Sequence, residues 1–401
     1  MNSMESAIII GGGASGLMAA LTASERPERT VLLLERQART GKKLLATGNG
    51  RCNLSNRRLS LAHYHGGQPE FARPALEAFD SGAATDYFRS LGLLTVTEAS
   101  GRVYPATDSA NSVADVLRLT LQQRPNVTLR TASEVIGLRR EAAGFAVWTA
   151  EETFSAARVI VCAGGLAGTK LGGVDLGYKL LQSVGHRRTR LYPALVQVRT
   201  ETGFVRSLKG VRCEAEVAYG RERRRGELQF TEYGVSGPVI FELSRSISVC
   251  GGGELTLDLL PGCTEVELLA LLRRRCVALP ALPAEELLTG ILHNRLGRSV
   301  LRACGYRFDQ PCASVDDLPR VCRAVKRFAL RVEGVMGMDC AQVTAGGIRT
   351  EDFDPQTLQS RLCPGLYAAG EVLDIDGDCG GYNLQWAWAS GRLAGKLLEN
   401  V

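Results

Sequence analysis

The sequence of 401 residues predicts an α/β fold with a parallel sheet, and three observations near its N-terminus lead to that prediction. Ala7–Ile10 is a short, wholly apolar run, as a strand buried on both faces requires. Glycines follow at positions 11, 13 and 16, and residues 17–24 have a helical composition. Val31–Leu34 is a second apolar run, which ends at Glu35. The order strand, helix, strand predicts a βαβ unit.

Later segments continue this α/β pattern. Residues 41–58 are rich in Gly and Asn and predict a loop, whereas 74–91 and 112–123 have apolar residues at helical spacing. Asn111 or Ser112 is the expected N-cap of the second of these helices. Between 128 and 161 the period changes to two, which predicts a small meander whose last strand returns to the main sheet and ends in Gly164-Gly165. A helix is expected over 175–185.

The second half of the chain changes character twice. Residues 191–260 are strand-like, 264–331 are mostly helical with prolines as breaks, and strand character returns over 333–343. The last fifty residues contain one more strand and a helix over 384–399. We therefore expect a first domain formed by residues 1–190 and 341–401. An inserted β domain (191–262 and 332–340) interrupts it and carries a small helical subdomain (263–331).

Composition excludes several classes of protein. A chain with 45% hydrophobic and 22% charged residues is an ordinary globular protein, and its length suggests two or three structural units at roughly 150 residues each. Of the 12 cysteines, no two have C-x-x-C spacing, so we expect reduced thiols, no local dithiol chemistry and no metal site. An aspartate-rich segment near the C-terminus resembles a calcium loop, but Cys379 and Gln385 stand where glycine and glutamate are needed.

Charge and hydropathy give no sign of a nucleic-acid or membrane partner. The net charge of +6 is spread evenly, and its strongest run, Arg221–Arg225, is expected to be a solvated turn. No apolar stretch approaches the roughly 18 residues of a membrane span, and the N-terminus lacks a basic targeting region. We expect a cytoplasmic protein with a small-molecule substrate. Its oligomeric state has no signature in the sequence.

The glycine pattern Gly11-x-Gly13-x-x-Gly16 has the context of a dinucleotide-binding site. Gly11 permits the tight turn, Gly13 admits a pyrophosphate close to the backbone, and Gly16 lets helix and strand pack closely. Glu35 ends the second strand, where a carboxylate can accept both ribose hydroxyls and would repel a 2′-phosphate. The fingerprint alone does not distinguish NAD from FAD. The additional loop over 41–53 favours the longer cofactor.

The C-terminal block favours the same cofactor. Residues 365–371 predict a strand that runs into glycine and an acid, and a glycine-rich loop then precedes the last helix. The N-terminus of that helix could bind a second polar group, such as the O2 edge or ribityl chain of a flavin.

Three runs carry a resemblance to a known family. GGGASG…LLLERQARTGKKLLATGNGRCNLSN, GRVYPATDSANSVADVL and GLYAAGEVLDIDGDCGGYNLQWAWASG resemble the HI0933-like flavoproteins, the BaiN/RdsA family of FAD-dependent oxidoreductases. GELQFTEYGVSGPVI and AQVTAGGI resemble its middle blocks, so the resemblance covers essentially the whole chain. It implies a glutathione-reductase-like Rossmann FAD-binding domain with an inserted β-barrel-like domain and a small helical subdomain.

The resemblance also implies which residues bind FAD non-covalently. The pyrophosphate would meet Gly11, Gly13, Ala14, Ser15 and Gly16, and the adenosine ribose Glu35, with Arg36, Lys43 and Val135 on the adenine side and the adjoining loop. Gly48, Asn49, Gly50, Arg51, Cys52 and Asn53 would approach the isoalloxazine. Ala163, Gly164 and Gly165 would flank the dinucleotide, and Gly370, Glu371, Asp378, Gly381, Tyr382, Asn383, Leu384 and Gln385 would close over the ribityl and flavin.

Two segments depart from the family pattern. The family has Phe-Thr-His where this chain has Phe230-Thr231-Glu232, so a role for that histidine cannot be transferred. The Ser/Thr-rich segment expected after Gly165 reads LAGTKLGGVDLGY here. Both departures bear on substrate specificity.

Catalytic residues are not identified by the sequence, because a flavin performs the electron transfer itself. Cys52 and Cys379 lie in flavin-side loops, where a helix dipole or a cation could lower a thiol pKa; the alternative is a small packed residue. Glu232, Tyr233 and Ser236 could meet a substrate from the inserted domain or could form a turn between strands. His63 and His65 are interpreted as loop residues and His186 as a helix-end partner, and no role is expected for His293.

These observations favour an FAD-dependent oxidoreductase acting on a small or steroid-like molecule. The bile-acid members of the family suggest the reductase direction, and its aminoacetone-oxidising members suggest amine oxidation. A flavin-binding sensor without turnover is a third alternative. No second complete glycine fingerprint occurs in the inserted region, so NAD(P)H would be a transient electron donor.

Overall fold

The computed structural model describes residues 4–307, 310–312 and 315–397, and the chain divides into two compact units. The first unit contains the residues up to Tyr192 and those from Gln342 onwards; the second is Pro193–Ala341. Within the second unit the helices of the 263–331 region share one hydrophobic core with the strands. Its division into a barrel and a helical subdomain stays a prediction.

A mixed sheet forms the centre of the first unit. In the described residues its strand order is β7-β2-β1-β10-β9-β8, with β19 also paired to β10. The contacts of β1 with β2 and β10, of β2 with β7 and of β10 with β19 are parallel, whereas β8, β9 and β10 form an antiparallel meander. The strands are β1 (Glu5–Ile10), β2 (Val31–Leu34), β7 (Val127–Arg130), β8 (Gly137–Glu141), β9 (Gly144–Trp148), β10 (Thr153–Val161) and β19 (Leu366–Ala368). The expected meander therefore lacks its first strand, since β7 joins the parallel part.

The helices of the first unit begin and end close to the predicted positions, with two differences. The helix expected over 74–91 is two helices, because the Asp80 side chain accepts the Ala83 N–H at 2.8 Å and starts a new one. The second difference is the N-cap of α4, which is Ser109 and not Asn111 or Ser112. The helices are α1 (Ala14–Ala23), α2 (Arg73–Ala78), α3 (Ser81–Ser90), α4 (Ala110–Gln122), α5 (Leu176–Ser183) and α11 (Tyr382–Gly395).

Short strands shape the loops around the carboxyl end of this sheet. They are β3 (Ser55–Asn56), β4 (Tyr64–His65), β5 (Thr95–Thr97), β6 (Arg102–Pro105), β18 (Val343–Ala345) and β20 (Asp376–Gly377); β11 (Tyr192–Ala194) crosses the boundary between the units. Strands β20 and β4 pair antiparallel, with Asp376 opposite His65. This pairing joins segments that lie more than 300 residues apart in the chain.

The second unit is built on a closed antiparallel barrel. Its strand order in the described residues is β12-β15-β14-β13-β16-β17. The strands are β12 (Val198–Thr200), β13 (Arg212–Tyr219), β14 (Glu222–Phe230), β15 (Gly234–Ser236), β16 (Gly253–Asp258) and β17 (Phe328–Val335), and the helices are α6 (Thr202–Val205), α7 (Pro238–Cys250), α8 (Glu265–Ala278), α9 (Asn294–Ala303) and α10 (Leu318–Lys326).

Three expectations for the second unit were wrong. Helix α7 lies in a range read as strands, with Val239, Leu243 and Ile247 buried on one face. The Arg223–Arg225 part of the basic run is not a turn but an exposed part of β14, where Glu216 pairs with Arg223 at 3.4 Å. The last barrel strand begins at Phe328, five residues before the expected Glu333. Among the described residues no helix is long and apolar enough to cross a membrane.

Candidate cofactor site

The turn after β1 requires two of its glycines for purely steric reasons. Gly11 has φ of +105°, and a Cβ there would lie 2.5 Å from the carbonyl oxygen of Cys162. A Cβ on Gly16 would lie 1.8 Å from the carbonyl oxygen of Gly11, which no rearrangement of a side chain could relieve. Gly11 and Gly16 therefore hold β1, α1 and the end of β10 in close contact.

Gly13 is different, because nothing in the protein occupies the space beside it. A Cβ on Gly13 would meet no atom within 4 Å, and its backbone is extended (φ −79°, ψ −168°). Gly13 is the N-cap of α1, and no side chain caps this helix. Ala14 follows as the first helical residue, and the hydroxyl of Ser15 donates to the carbonyl of Ala369 at 3.4 Å. The open space faces uncapped N–H groups and fits a pyrophosphate.

Glu35 is held in place by backbone groups. Its Oε2 accepts the Gly12 N–H at 2.7 Å and its Oε1 accepts the Gln37 N–H at 2.6 Å. Each carboxylate oxygen keeps a second lone pair that could accept a ribose hydroxyl. Arg36 beside it donates to the carbonyl of Gly172 at 3.2 Å. The segment that contains buried Val135 returns to this strand, since the Ser133 N–H donates to the Glu35 carbonyl at 2.9 Å.

Lys43 and Glu371 form an ion pair on the same side of the sheet. Lys43 Nζ lies 2.7 Å from Glu371 Oε2, and Glu371 Oε1 accepts the Thr344 N–H at 2.9 Å. The absence of a side chain on Gly165 makes room for this carboxylate, because a Cβ there would lie 2.5 Å from its Oε1. The structure thus joins Lys43, the Ala163–Gly165 segment and the Gly370–Glu371 turn.

The loop that was expected to approach the isoalloxazine lies against the start of α11. Gly48, Asn49 and Gly50 all have positive φ. A Cβ on Gly381 would lie 2.8 Å from Asn53 Oδ1, so the loop and the helix start are in direct contact. Asn53 Oδ1 is buried without a hydrogen-bond partner among the described residues. Such an oxygen is destabilising unless a donor reaches it, and a flavin ring N–H is a suitable donor.

Arg51 and Cys52 in this loop are engaged within the protein. The Arg51 guanidinium pairs with Asp108 and Glu98 and lies 4.0 Å above the centre of the Tyr104 ring. Cys52 is fully buried, and burial raises the pKa of its thiol to about 12. The suggested lowering of this pKa is therefore wrong, and Cys52 is a neutral packed thiol at physiological pH.

The first turn of α11 is braced by its own side chains. Gln385 accepts from the Ser55 hydroxyl and donates to the Phe79 carbonyl, both at 2.6 Å. Asn383 closes the preceding loop through Gly377, whose N–H it accepts at 2.8 Å and whose carbonyl it contacts at 2.7 Å. Leu384 is partly buried between them. Gly381 is the N-cap and no side chain caps the helix, so its first N–H groups can bind a ligand.

Two histidines that the sequence suggested to be loop residues meet a carboxylate at this place. His63 Nδ1 lies 3.0 Å from Asp378 Oδ2, and His65 Nε2 lies 2.7 Å from Asp378 Oδ1. The His63 ring is stacked on Tyr382 with 4.2 Å between ring centres. Burial acts to raise the pKa of Asp378, but the hydrogen bonds from His65 and His63 outweigh it and lower that pKa. Their i, i+2 spacing was the available signal, since it places both on one face of an extended segment.

The remaining candidates lie elsewhere. Cys379 is partly buried in the loop before α11. Glu232 and Tyr233 form the turn between β14 and β15, and Ser236 is buried at the end of β15. Glu232 is exposed and pairs with Lys209 at 2.7 Å, and this hydrogen bond lowers the pKa of Glu232.

His186 and His293 have structural contacts. His186 caps the end of α5 with its backbone, because its N–H donates to the Leu181 carbonyl at 3.1 Å. Its side chain does not take part in this cap: the ring is stacked on Phe353 and its Nε2 lies 3.0 Å from the Ser360 hydroxyl. His293 is the N-cap of α9 and accepts the Arg295 N–H at 3.3 Å. No group of side chains in the described ranges could hold a metal ion.

A βαβ sheet, two helix N-termini without side-chain caps and a carboxylate that follows the second strand are the arrangement of an FAD-dependent oxidoreductase, the class of protein to which comparisons with known proteins assign this chain. The chain belongs to the HI0933-like family, since the model of the HI0933-like protein Rossmann domain matches residues 5–397.

Named relatives cover nearly the full length. The chain is 40% identical over 97% of its length to a 3-dehydro-bile acid delta(4,6)-reductase of Clostridium scindens, of which 97% is covered. It is 30% identical over 96% of its length to a ribosomal RNA dihydrouridine synthase of Escherichia coli, of which 95% is covered. Among solved structures, a 3-ketosteroid delta1-dehydrogenase from Sterolibacterium denitrificans has the same fold, with a TM-score of 0.52, 15% identity and 98% of both chains covered.

Proposed function

We propose that this protein is a reductase that uses non-covalently bound FAD to saturate a C=C bond conjugated to a ketone in a steroid-like small molecule. The observation that carries the proposal is the cofactor site of the first unit, joined to 40% identity with a reductase of 3-dehydro-bile acids. NAD(P)H supplies the electrons in a separate step.

Each part of the FAD molecule has an assigned set of residues in this proposal. The pyrophosphate lies beside Gly13 at the N-terminus of α1, and Glu35 accepts the ribose hydroxyls. The Gly48–Asn53 loop and the N-terminus of α11 bind the flavin end, with Asn53 Oδ1 accepting a ring N–H. The Ala163–Gly165 segment and the Lys43–Glu371 pair line the middle of the cofactor. Bound FAD supplies two-electron transfer to the substrate.

A small substrate is favoured over RNA by the charges of the barrel. The basic run is the most cationic segment, yet Arg223 and Arg225 pair with Glu216 and Glu214 on β13, each at 3.4 Å. The facing carboxylates reduce the net positive charge that these arginines would offer to a phosphate backbone. The greater identity to the bile-acid reductase than to the RNA enzyme points in the same direction. We assign substrate recognition to the inserted barrel and its helical subdomain, with Glu232, Tyr233 and Ser236 as candidates.

The experiment separates cofactor, donor and substrate. The purified protein is loaded with FAD, its flavin spectrum is recorded, and NADH and NADPH are compared as anaerobic reductants. The reduced protein is then mixed separately with a 3-oxo-Δ4 steroid and with a uridine-containing ribosomal RNA fragment. The oxidised protein is mixed with a panel of primary amines.

We expect the conjugated steroid to reoxidise the flavin rapidly and to be converted into the saturated ketone. Reduction of the oxidised flavin by an amine would instead assign an amine oxidase, and reoxidation by RNA alone would assign an RNA reductase. A protein that binds no FAD would overturn the proposal at its first step.

A further inference from the structure

The site contains a proton-transfer group that the cofactor does not account for. Asp378 accepts one hydrogen bond from each of two imidazoles, and the three side chains keep 24% to 35% of their surface exposed. We call His63, His65 and Asp378 the imidazole cluster. Asp378 lies in the loop directly before α11, and the pairing of β4 with β20 brings His63 and His65 to it. Partial exposure lets the cluster exchange protons with solvent.

The two rings of the cluster are not equivalent. Nδ1 of His63 is hydrogen-bonded to Asp378. Its Nε2, the nitrogen at the tip of the ring, has no hydrogen-bond partner among the described residues. His65 uses Nε2 for Asp378 and keeps only Nδ1, which lies next to its own backbone. A carboxylate on Nδ1 with the tip nitrogen available is the arrangement in which an imidazole exchanges protons with a substrate.

His63 is also fixed in orientation by a second contact. Its ring is stacked on Tyr382, the first residue of α11, with an angle of 19° between the rings. The loop is closed by the backbone bond from Asp378 N–H to the His63 carbonyl at 2.9 Å. A proton donor with a fixed ring loses little entropy on reaction, as general acid catalysis requires.

The reaction assigned to the protein needs such a donor. Saturation of a C=C bond conjugated to a ketone adds two electrons and one proton at the β-carbon and a second proton at the α-carbon. Reduced FAD accounts for the first addition and becomes oxidised. The second proton must come from a side chain or from water.

We propose that His63 donates this second proton from Nε2 to the α-carbon, with Asp378 and His65 as positioning residues; the inference rests on the proposed reductase function. On donation the N–H bond of Nε2 breaks, a C–H bond forms at the α-carbon, and the ring becomes neutral. Solvent then returns a proton to Nε2.

Other titratable groups around the cluster are placed differently. Asp374 accepts the Gly67 N–H at 3.1 Å, and Asp376 is buried in β20. The hydroxyl of Tyr64 donates to the Tyr382 carbonyl at 3.0 Å, and burial raises the pKa of Tyr64 well above its usual range. Arg102 approaches the loop at Gly380. Tyr382 is the nearest alternative acid, so it needs its own variant.

The test uses FAD-loaded protein and two variants of the donor. His63→Asn removes the proton donor, and His63→Phe also removes it while it keeps an aromatic ring to stack on Tyr382. Tyr382→Phe tests the alternative acid, and His293→Asn, which keeps an N-cap side chain on α9, is the matched control for loss of an imidazole. FAD affinity, flavin reduction by NAD(P)H, and reoxidation by ferricyanide, which takes up electrons without protonating carbon, are measured beside steroid reduction.

Both His63 variants should reduce the steroid about 10²–10⁴-fold more slowly, the range of general acid catalysis. FAD affinity, flavin reduction and ferricyanide reoxidation should stay at wild-type values. Added imidazole should restore part of the lost rate, and in D₂O the deuterium at the α-carbon should lose its single-face preference. His293→Asn should behave as wild type.

Two results would overturn the inference. One is a wild-type rate of steroid reduction in either His63 variant, including the case in which only Tyr382→Phe loses rate. The other is a parallel fall of ferricyanide reoxidation and FAD affinity in both variants, which would indicate a structural role. Failure of the proposed function is distinguishable, because the wild-type protein would then reduce no conjugated ketone at all.

Discussion

Replacement of Gly13 by alanine should separate cofactor binding from folding. A methyl group on Gly13 would meet no protein atom within 4 Å, and the backbone there is in a region open to any residue. Alanine is a poorer N-cap than glycine by about 0.5–1 kcal/mol, and it restricts the unfolded chain by about 0.4–1 kcal/mol, so the two effects nearly cancel. The free energy of unfolding of the apoprotein should change by less than about 1 kcal/mol.

FAD affinity should fall because the methyl group enters the space assigned to the pyrophosphate. A hydrogen bond from an N–H to a charged group contributes about 1.5–3 kcal/mol, so the loss of one such bond weakens binding roughly 10- to 150-fold. Titration of the apoprotein with FAD, followed by the quenching of flavin fluorescence, measures this dissociation constant directly. Thermal unfolding without FAD measures the stability on the same samples.

Two other glycines provide the controls. Gly203→Ala lies in α6, where a Cβ also meets nothing within 4 Å, so it should change neither FAD affinity nor the fold. Gly16→Ala should disrupt the apoprotein itself, since its Cβ would lie 1.8 Å from the Gly11 carbonyl oxygen. Wild-type FAD affinity in Gly13→Ala would refute the assignment of the pyrophosphate site. A stability loss equal to that of Gly16→Ala would refute the claim that the space is open.

Three further predictions follow from burial and charge. Iodoacetamide at pH 8 should label exposed Cys250 but not Cys52, whose pKa is raised to about 12 by burial. Peptide mass spectrometry measures the labelling, and equal labelling of both cysteines in the folded protein would contradict this. Lys326 Nζ lies 2.6 Å from Asp258, so Lys326→Met leaves this carboxylate without its ammonium partner. The free energy of unfolding, measured in urea, should fall by about 2–3 kcal/mol, and no loss would show that the pair is not stabilising. Because its pKa is lowered in the folded state, Asp378 contributes stability above its unfolded pKa of about 3.9 and loses it as the pH falls through the folded pKa. The difference in unfolding free energy between wild type and Asp378→Asn should therefore shrink between pH 6 and pH 3, and a constant difference would contradict the lowered pKa.

The secondary structure of the first unit was predictable where the local sequence pattern matches the burial of the residues in the structure. β1 and β2 are short apolar runs, and the glycines between them leave no alternative to a tight turn, so their βαβ arrangement follows from the sequence alone. The break at Asp80 was missed because apolar spacing continues across it. The side chain of Asp80 starts a second helix within the same periodic stretch.

The second unit was less predictable because its helices and strands have similar composition. Helix α7 contains four isoleucine or valine residues, two in its first turn and two in its last, and these residue types favour strands when read locally. Its signal was the Gly237-Pro238 pair, since proline is well suited to the first turn of a helix. On β14, arginines occupy exposed positions because acidic residues lie opposite on β13, a cross-strand relation that no local window contains.

The candidate site also has one part that local sequence motifs predict and one part that they do not. Its cofactor part rests on glycines and backbone N–H groups within contiguous motifs, so it could be read from positions 11–16, 35 and 48–53. The imidazole cluster instead depends on the pairing of β4 with β20, which brings His65 to Asp378 across 313 positions of sequence. The i, i+2 spacing of the two histidines predicts that they share one face of an extended segment, but it does not predict which carboxylate they bind.

The proton donor of this protein can change without loss of its cofactor. Glu35 and Asn53, the side chains assigned to the ribose and the flavin ring, make no hydrogen bond to the imidazole cluster in the described residues, and the link between the cluster and the flavin end is the stacking of His63 on Tyr382. Substitution at His63 should therefore alter proton delivery without loss of the cofactor. A protein built in this way can keep electron transfer constant while its proton donor is adapted to the substrate, because the two functions are assigned to different groups: helix N-termini, Glu35 and Asn53 for FAD, and the His63 imidazole for the proton.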